Sequence, residues 1–116
     1  MNDQLLDLDE FKERVQDDID LLLELLDIFM ADYVGKRAAL GEAISKKDID
    51  QLKSVAHSLK GASGNISAKS LREIFLQMED MAKKNDLSPG NDLLAKLDET
   101  YTALTKRIET VKQELK

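Results

Sequence analysis

The sequence predicts an all-α protein, an antiparallel up-down-up-down four-helix bundle with a short N-terminal helix packed on it. Apolar residues recur at three- and four-residue spacing along four long segments, as one face of a helix requires. The 116 residues contain only one proline and five glycines, and 34% of them are charged, which suits long solvent-facing helices. Short connections between the segments favour antiparallel neighbours. At this length we expect a single domain over residues 1–116.

The N-terminal segment and the first long helix come first along the chain. Apolar residues between acids, without a long period, predict one short helix or two turns; these residues are Leu5, Leu6, Leu8, Phe11 and Val15. Asp17 or Asp18 can cap the first long helix. Its end is marked by Ser45-Lys46-Lys47, since the two lysines are cations suited to a helix C-terminus. Its predicted core stripe is Ile19, Leu22, Leu23, Leu26, Met30, Tyr33, Val34, Leu40 and Ile44.

Three further helices follow. Asp48 can cap the second long helix, whose apolar stripe is Ile49, Leu52, Val55, Ala56 and Leu59. Ser70-Leu71-Arg72-Glu73 reads as a capping box that opens the third, which would bury Leu71, Ile74, Phe75, Met78 and Met81. Residues 85–90 interrupt the pattern. The last helix begins at Ser88-Pro89 or Asn91, with a stripe of Leu93, Leu94, Leu97, Tyr101, Leu104, Ile108, Val111 and Leu115.

Composition excludes several classes of function. The formal net charge of -6, with 17 basic residues interspersed among 23 acidic ones, argues against a nucleic-acid partner. The absence of cysteine excludes disulfides and thiol chemistry and is compatible with a cytoplasmic location. Acids interrupt the most apolar stretch, residues 19–33, and the acidic N-terminus lacks the basic start of a secretory signal, so we expect no membrane association.

The single histidine, His57, lies on the second long helix. With about 100° per residue, its side chain points about 150° away from the centre of the core stripe, so the imidazole should be exposed to solvent. Residues that project within about 60° of it are Asp50, Lys53, Lys60, Gly61 and Gly64. The sequence therefore predicts an open face that presents one nucleophile, two ammonium groups and two positions without a side chain.

The two glycines need a reason, because each costs about 1 kcal/mol relative to alanine inside a helix. Gly64 with Asn65 either ends the helix in a left-handed cap or belongs to the exposed face, and the sequence leaves both open. Gly61 lies one turn earlier, where capping is the weaker explanation. If Gly61 is helical, its missing side chain lets another protein approach His57.

An exposed imidazole suits phosphoryl transfer. Near neutral pH the ring is largely uncharged, so a ring nitrogen can attack phosphorus without a separate base. Lys60, and Lys53 from the turn before, can neutralise part of the phosphoryl charge. A hydrolytic triad or a zinc site would need further converging groups, which this face does not offer, so we expect no resident metal.

The segment Ala56-His57-Ser58-Leu59-Lys60-Gly61, continued by Ala62-Ser63-Gly64-Asn65-Ile66, resembles the signature of histidine-containing phosphotransfer (HPt) domains of two-component phosphorelays. The resemblance implies that His57 is the phosphoacceptor, that Lys60 interacts with the phosphoryl group, and that Gly61 and Gly64 keep the surface clear for a receiver domain. Ser67 stands where many family members carry glycine, a departure at the turn into the third long helix.

The resemblance also implies the partners. They are response-regulator receiver domains, including those of hybrid histidine kinases, and the aspartate site of the receiver supplies catalysis and Mg²⁺. We expect a monomer that needs no cofactor of its own and that carries phosphoryl groups rather than acting as an enzyme.

Two other functions remain open at this stage. One is a non-enzymatic helical adaptor or dimerisation module whose histidine is incidental. The other is the dimerising phosphoacceptor region of a sensor kinase, although the chain has no nucleotide-binding domain and lacks the acidic residue that commonly follows the histidine in those kinases.

Leu21, Leu25 and Ile28 form an apolar strip roughly opposite the core stripe of the first long helix. Such a strip needs a cover. We expect the N-terminal residues Leu5, Leu6, Leu8 and Phe11 to fold back over it; the alternative is that part of the strip docks a receiver domain or a second subunit.

Overall fold

The computed structural model describes residues 2–115, which contain six helices and no strand. They are α1 (Asn2–Leu5), α2 (Leu8–Arg14), α3 (Ile19–Lys46), α4 (Ile49–Asn65), α5 (Lys69–Lys84) and α6 (Gly90–Glu114). Helices α3 to α6 form the predicted four-helix bundle, in which α3 packs on α4 and α6, and α5 packs on α4 and α6. Within the described range, no helix is both long and apolar enough to cross a bilayer.

Aspartates begin the first two long helices. The Asp18 side chain accepts a hydrogen bond from the Leu21 amide at the start of α3, and Asp48 accepts one from the Gln51 amide at the start of α4, each at 3.1 Å. Lys47 ends α3 in a left-handed conformation with φ of 58°. Both predicted caps are thus confirmed, and the connection from α3 to α4 is a tight turn.

The predicted stripes account for most of the core. All five predicted residues of α5 are buried, and in α4 Leu52, Ala56 and Leu59 are fully buried. One prediction for α3 is wrong, because Val34 is 68% exposed. Tyr33 takes the inward position, and one further step of about 100° turns Val34 out of the bundle. Phe29, which the sequence analysis did not place in the stripe, is buried instead.

The N-terminal segment forms two short helices, and it does not cover the whole apolar strip as predicted. Helix α1 packs on α5 and α6 and α2 contacts α3; Leu25 is partly buried against the core, while Leu21 and Ile28 remain 39% and 55% exposed. The backbone amide of Asp7 donates a hydrogen bond to the Ser67 carbonyl, which fastens the segment to the connection between α4 and α5. The apolar side chains of Leu6 and Phe11 in this segment are fully buried.

The connection between α4 and α5 excludes one alternative that the sequence left open and contradicts one prediction. Gly64 does not end α4 in a left-handed cap, because the helix continues to Asn65 and the left-handed residue is Ser67, with φ of 61°. The capping box at Ser70 is also wrong, since α5 begins at Lys69 after Ala68, which makes no side-chain cap. The Ala68 amide bonds back to the Ser63 carbonyl, and this tight turn starts α5 before Ser70 is reached.

Ser67 combines a strained backbone with a buried hydrogen bond. Its hydroxyl donates to Oε1 of Glu10 at 2.8 Å, and the residue is 1% exposed. Substitution by alanine or glycine removes this bond, but only alanine keeps a side chain in the left-handed region.

We predict that Ser67→Gly is more stable than Ser67→Ala by about 1 kcal/mol, and that Ser67→Ala lies about 1–2 kcal/mol below the unsubstituted protein. Denaturant unfolding monitored by helical circular dichroism measures both differences. Equal stability of the two variants would contradict the strain assigned to this residue.

Candidate functional site

The packing of α4 holds His57 outward. Leu52, Ala56 and Leu59 are fully buried, so the rotation of the helix about its axis is fixed by the core. The His57 side chain is 72% exposed, as the helical geometry predicts. The structure therefore places the imidazole on an open surface of the bundle.

A carboxylate on α5 joins the imidazole to the neighbouring lysine. Oε2 of Glu79 lies 3.1 Å from Nδ1 of His57, and Oε1 of Glu79 lies 2.6 Å from Nζ of Lys60. The Glu79 side chain is 9% exposed, whereas Lys60 is 22% exposed. The positive charge predicted beside His57 is present, and in this structure it is paired with a nearly buried acid.

The ionised form of Glu79 is stabilised by these contacts. Burial raises the pKa of the Glu79 carboxyl, but the hydrogen-bonding and charge interactions with Lys60 and His57 together lower it by more, so its pKa lies below the ordinary value. An ionised carboxylate only accepts hydrogen bonds, so Nδ1 of His57 must carry the proton. In the neutral ring the lone pair is then on Nε2, the nitrogen that makes no contact with Glu79.

Glu79 was not among the residues that the sequence predicted for the site. It lies 22 residues from His57 in the chain, so helical spacing on α4 gives no hint of the contact. One signal was available: Glu79 falls between Phe75 and Ala82 on the buried face of α5. An acid on a core-facing stripe needs a cationic partner, because an isolated buried charge is costly.

The two glycines of α4 differ in their surroundings. A Cβ atom built on Gly61 would meet nothing within 4 Å, so no packing inside the bundle requires glycine there. On Gly64 it would lie 3.6 Å from Cδ and Nε of Arg72. The space outside Gly61 is therefore open, whereas the Arg72 side chain lies beside Gly64.

Other cations lie on the same side of α4. Lys53 is exposed one turn before His57 and takes no part in the ion pairs of Glu79. Lys36 of α3 donates a hydrogen bond to the hydroxyl of Ser58 at 2.7 Å and pairs with Asp32 at 2.8 Å. Sequence spacing did not reveal Lys36, because it reaches the site from another helix.

The side chains of residues 3–115 include no cluster of three or more histidine, cysteine, aspartate or glutamate residues able to hold a metal ion. The chemistry that this arrangement offers is that of a nucleophilic ring nitrogen on an open helix, with a lysine one turn away.

Comparison with known proteins identifies the family. The sequence model of the Hpt domain family matches residues 8–114 of this chain. The chain belongs to the Hpt domain family. Membership supports a phosphotransfer role in a phosphorelay, as a phosphocarrier rather than an enzyme in its own right.

A solved structure has the same fold as this Hpt domain. It is the crystal structure of histidine-containing phosphotransfer protein B (HptB) from Pseudomonas aeruginosa PAO1, with a TM-score of 0.78 and 24% sequence identity. The match covers 92% of this chain and 90% of that one. No curated protein matches the chain.

The open space at Gly61 yields a prediction about stability. Gly61→Ala should raise the free energy of unfolding by about 0.5–1 kcal/mol, because alanine favours the helix and its methyl group would touch nothing. Denaturant unfolding of the two proteins measures the change. Destabilisation by this substitution would show that the fold itself requires glycine.

Proposed function

We propose that this Hpt domain is a phosphorelay intermediate in which His57 reversibly accepts a phosphoryl group from a receiver-domain aspartate and passes it to another receiver. One observation carries the proposal: an imidazole on an open helix face has its Nδ1 engaged by Glu79, so Nε2 is the nitrogen left for a partner. Family membership supports the same role in its general form.

The transfer is a displacement at phosphorus. The Nε2 lone pair forms the N–P bond, the bond between phosphorus and the aspartyl oxygen breaks, and its electron pair stays on the aspartate. The reverse step returns the phosphoryl group to a receiver. We propose that the Mg²⁺ that assists this transfer is bound by the receiver.

Lys60 is proposed to neutralise charge on the phosphoryl group. A phosphoryl group carries about two negative charges at neutral pH. Nζ of Lys60 and Nδ1 of His57 contact the two oxygens of one carboxylate, so the ammonium group already lies beside the ring. Lys53 adds exposed positive charge on the docking face.

The open surface at Gly61 supports docking of a protein-sized partner. Gly61 is one turn from His57, and a side chain there would project into the space a receiver has to occupy. We propose that Gly61 and Gly64 line the receiver-docking surface, with Arg72 over Gly64 as part of it. An adaptor with an incidental histidine would give no reason for an unfilled helical glycine beside the imidazole.

We predict that His57→Gln abolishes labelling by a phosphorylated receiver and leaves helicity unchanged, because the ring is exposed and contributes little to the core. Incubation with a receiver carrying radioactive phosphate measures the label, which should be stable to base and lost in acid. Ser58→Ala, which changes the neighbouring exposed residue, should still be labelled. Equal labelling of His57→Gln would reject the assignment.

We predict that Lys60→Met slows labelling about tenfold, because loss of one charge-assisted contact in the transition state is worth about 1.4 kcal/mol. The initial rate of transfer from the phosphorylated receiver measures the effect. Lys46→Met is the matched control, since it removes one positive charge from the far end of α3, where Lys46 pairs with Glu42. Equal rates for the two variants would contradict a specific role for Lys60.

A further inference from the structure

We propose that Glu79 is a positioning residue that exchanges partners during the transfer. Its carboxylate pairs with Lys60 while His57 is unmodified, and it becomes the counter-ion of the phosphorylated, protonated imidazole when Lys60 turns to the phosphoryl group. This inference rests on the proposed function, because it requires that His57 is phosphorylated on Nε2.

The geometry of Glu79 suits this exchange. Each of its two oxygens has its own cationic or proton-donating partner, Lys60 at 2.6 Å and His57 at 3.1 Å. The side chain is 9% exposed, so water cannot readily replace a partner that leaves. If Lys60 moves to the phosphoryl group, Oε1 of Glu79 loses its cation, and the carboxylate then needs a positive charge beside Oε2 instead.

Phosphoryl transfer itself creates that charge. The neutral ring attacks with the Nε2 lone pair while Nδ1 keeps its proton, and the electron pair of the broken bond leaves with the aspartate. The product ring carries phosphorus on Nε2 and hydrogen on Nδ1, so it is a cation. No proton enters or leaves, and the new positive charge appears beside Oε2 of Glu79 as the charge of Lys60 is withdrawn from Oε1.

The other charged groups around the ring do not compete for this role. Those that face it or its surroundings are Asp50, Lys53 and Lys60 on α4, Lys36 with its partner Asp32 on α3, and Glu73, Glu79, Asp80 and Lys83 on α5. Among the described residues, Glu79 is the acid in contact with the imidazole. Its removal should therefore affect the ring more than removal of any other carboxylate.

The exchange has a consequence for return transfer. A ring protonated on Nδ1 departs from phosphorus as neutral imidazole, whereas a deprotonated ring would have to depart as an anion. By holding the Nδ1 proton, Glu79 keeps the phosphorylated ring in the form that releases its phosphoryl group readily. Without this carboxylate the phosphorylated protein should be more persistent above neutral pH.

The test uses the full chain phosphorylated on His57 with phosphoramidate, a small donor that needs no receiver. A ¹⁵N NMR titration of the ring measures the pH midpoint at which Nδ1 loses its proton. We expect Glu79→Gln, which keeps a hydrogen-bond acceptor but no charge, to lower the midpoint by about one pH unit, equivalent to about tenfold in proton affinity. Asp80→Asn is the matched control, because Asp80 is exposed and pairs with Lys84.

Kinetics provide a second measurement. The pH profile for loss of the phosphoryl group should move to lower pH by the same amount in Glu79→Gln, with up to about tenfold slower loss above the midpoint and equal rates well below it. A purely structural role for Glu79 would change stability without moving this profile.

Three results would overturn the inference. Equal midpoints in Glu79→Gln and the unsubstituted protein would remove the counter-ion role while leaving the relay function intact. If Glu79→Gln does not fold, the unsubstituted protein is measured instead. A phosphorylated His57 ring that lacks the Nδ1 proton at pH 7 would then also exclude the counter-ion role of Glu79. Failure of His57 to be labelled by any phosphoryl donor would overturn both this inference and the proposed function.

Discussion

The rotational setting of α4 is the constraint on which the site depends. Leu52, Ala56 and Leu59 are fully buried, and each buried leucine contributes about 1.5–3 kcal/mol of transfer free energy. A shift of one residue would turn the helix by about 100°, exposing part of this stripe and moving His57 from its place. The core therefore specifies which side of α4 meets solvent, and the outward position of the imidazole follows from burial on the opposite side.

The core fixes the direction of the His57 side chain, and Glu79 in addition fixes which nitrogen of the imidazole carries the proton. It lies on the buried face of α5, so its carboxylate is held by the packing of α5 on α4. A carboxylate in such a position is costly unless it is paired, and Lys60 and His57 offset that cost. The same contacts fix the proton on Nδ1 and leave Nε2 to a partner, so fold stability and chemistry share one ion cluster.

Helical spacing predicted the bundle, the caps at Asp18 and Asp48, and the exposure of His57, because each depends on residues within a few positions of one another. Apart from Val34 in α3, the errors have another origin. The start of α5 is set by the left-handed turn at Ser67 and the bond from Ala68 to Ser63, which displace the expected start at Ser70. The contact between His57 and Glu79 joins two helices, and a spacing argument within α4 cannot supply a partner from α5.

The two glycines of α4 differ in whether another part of the bundle lies beside them. A Cβ atom on Gly64 would lie in ordinary van der Waals contact with Arg72, 3.6 Å from its Cδ and Nε, so a residue of the same protein already lies beside that position. Gly61 is covered by nothing within 4 Å, and it forgoes about 1 kcal/mol of helix stability without a compensating contact in the bundle. Since the fold does not require that loss, its reason should lie outside the chain, in a partner surface that must come close to the backbone beside His57.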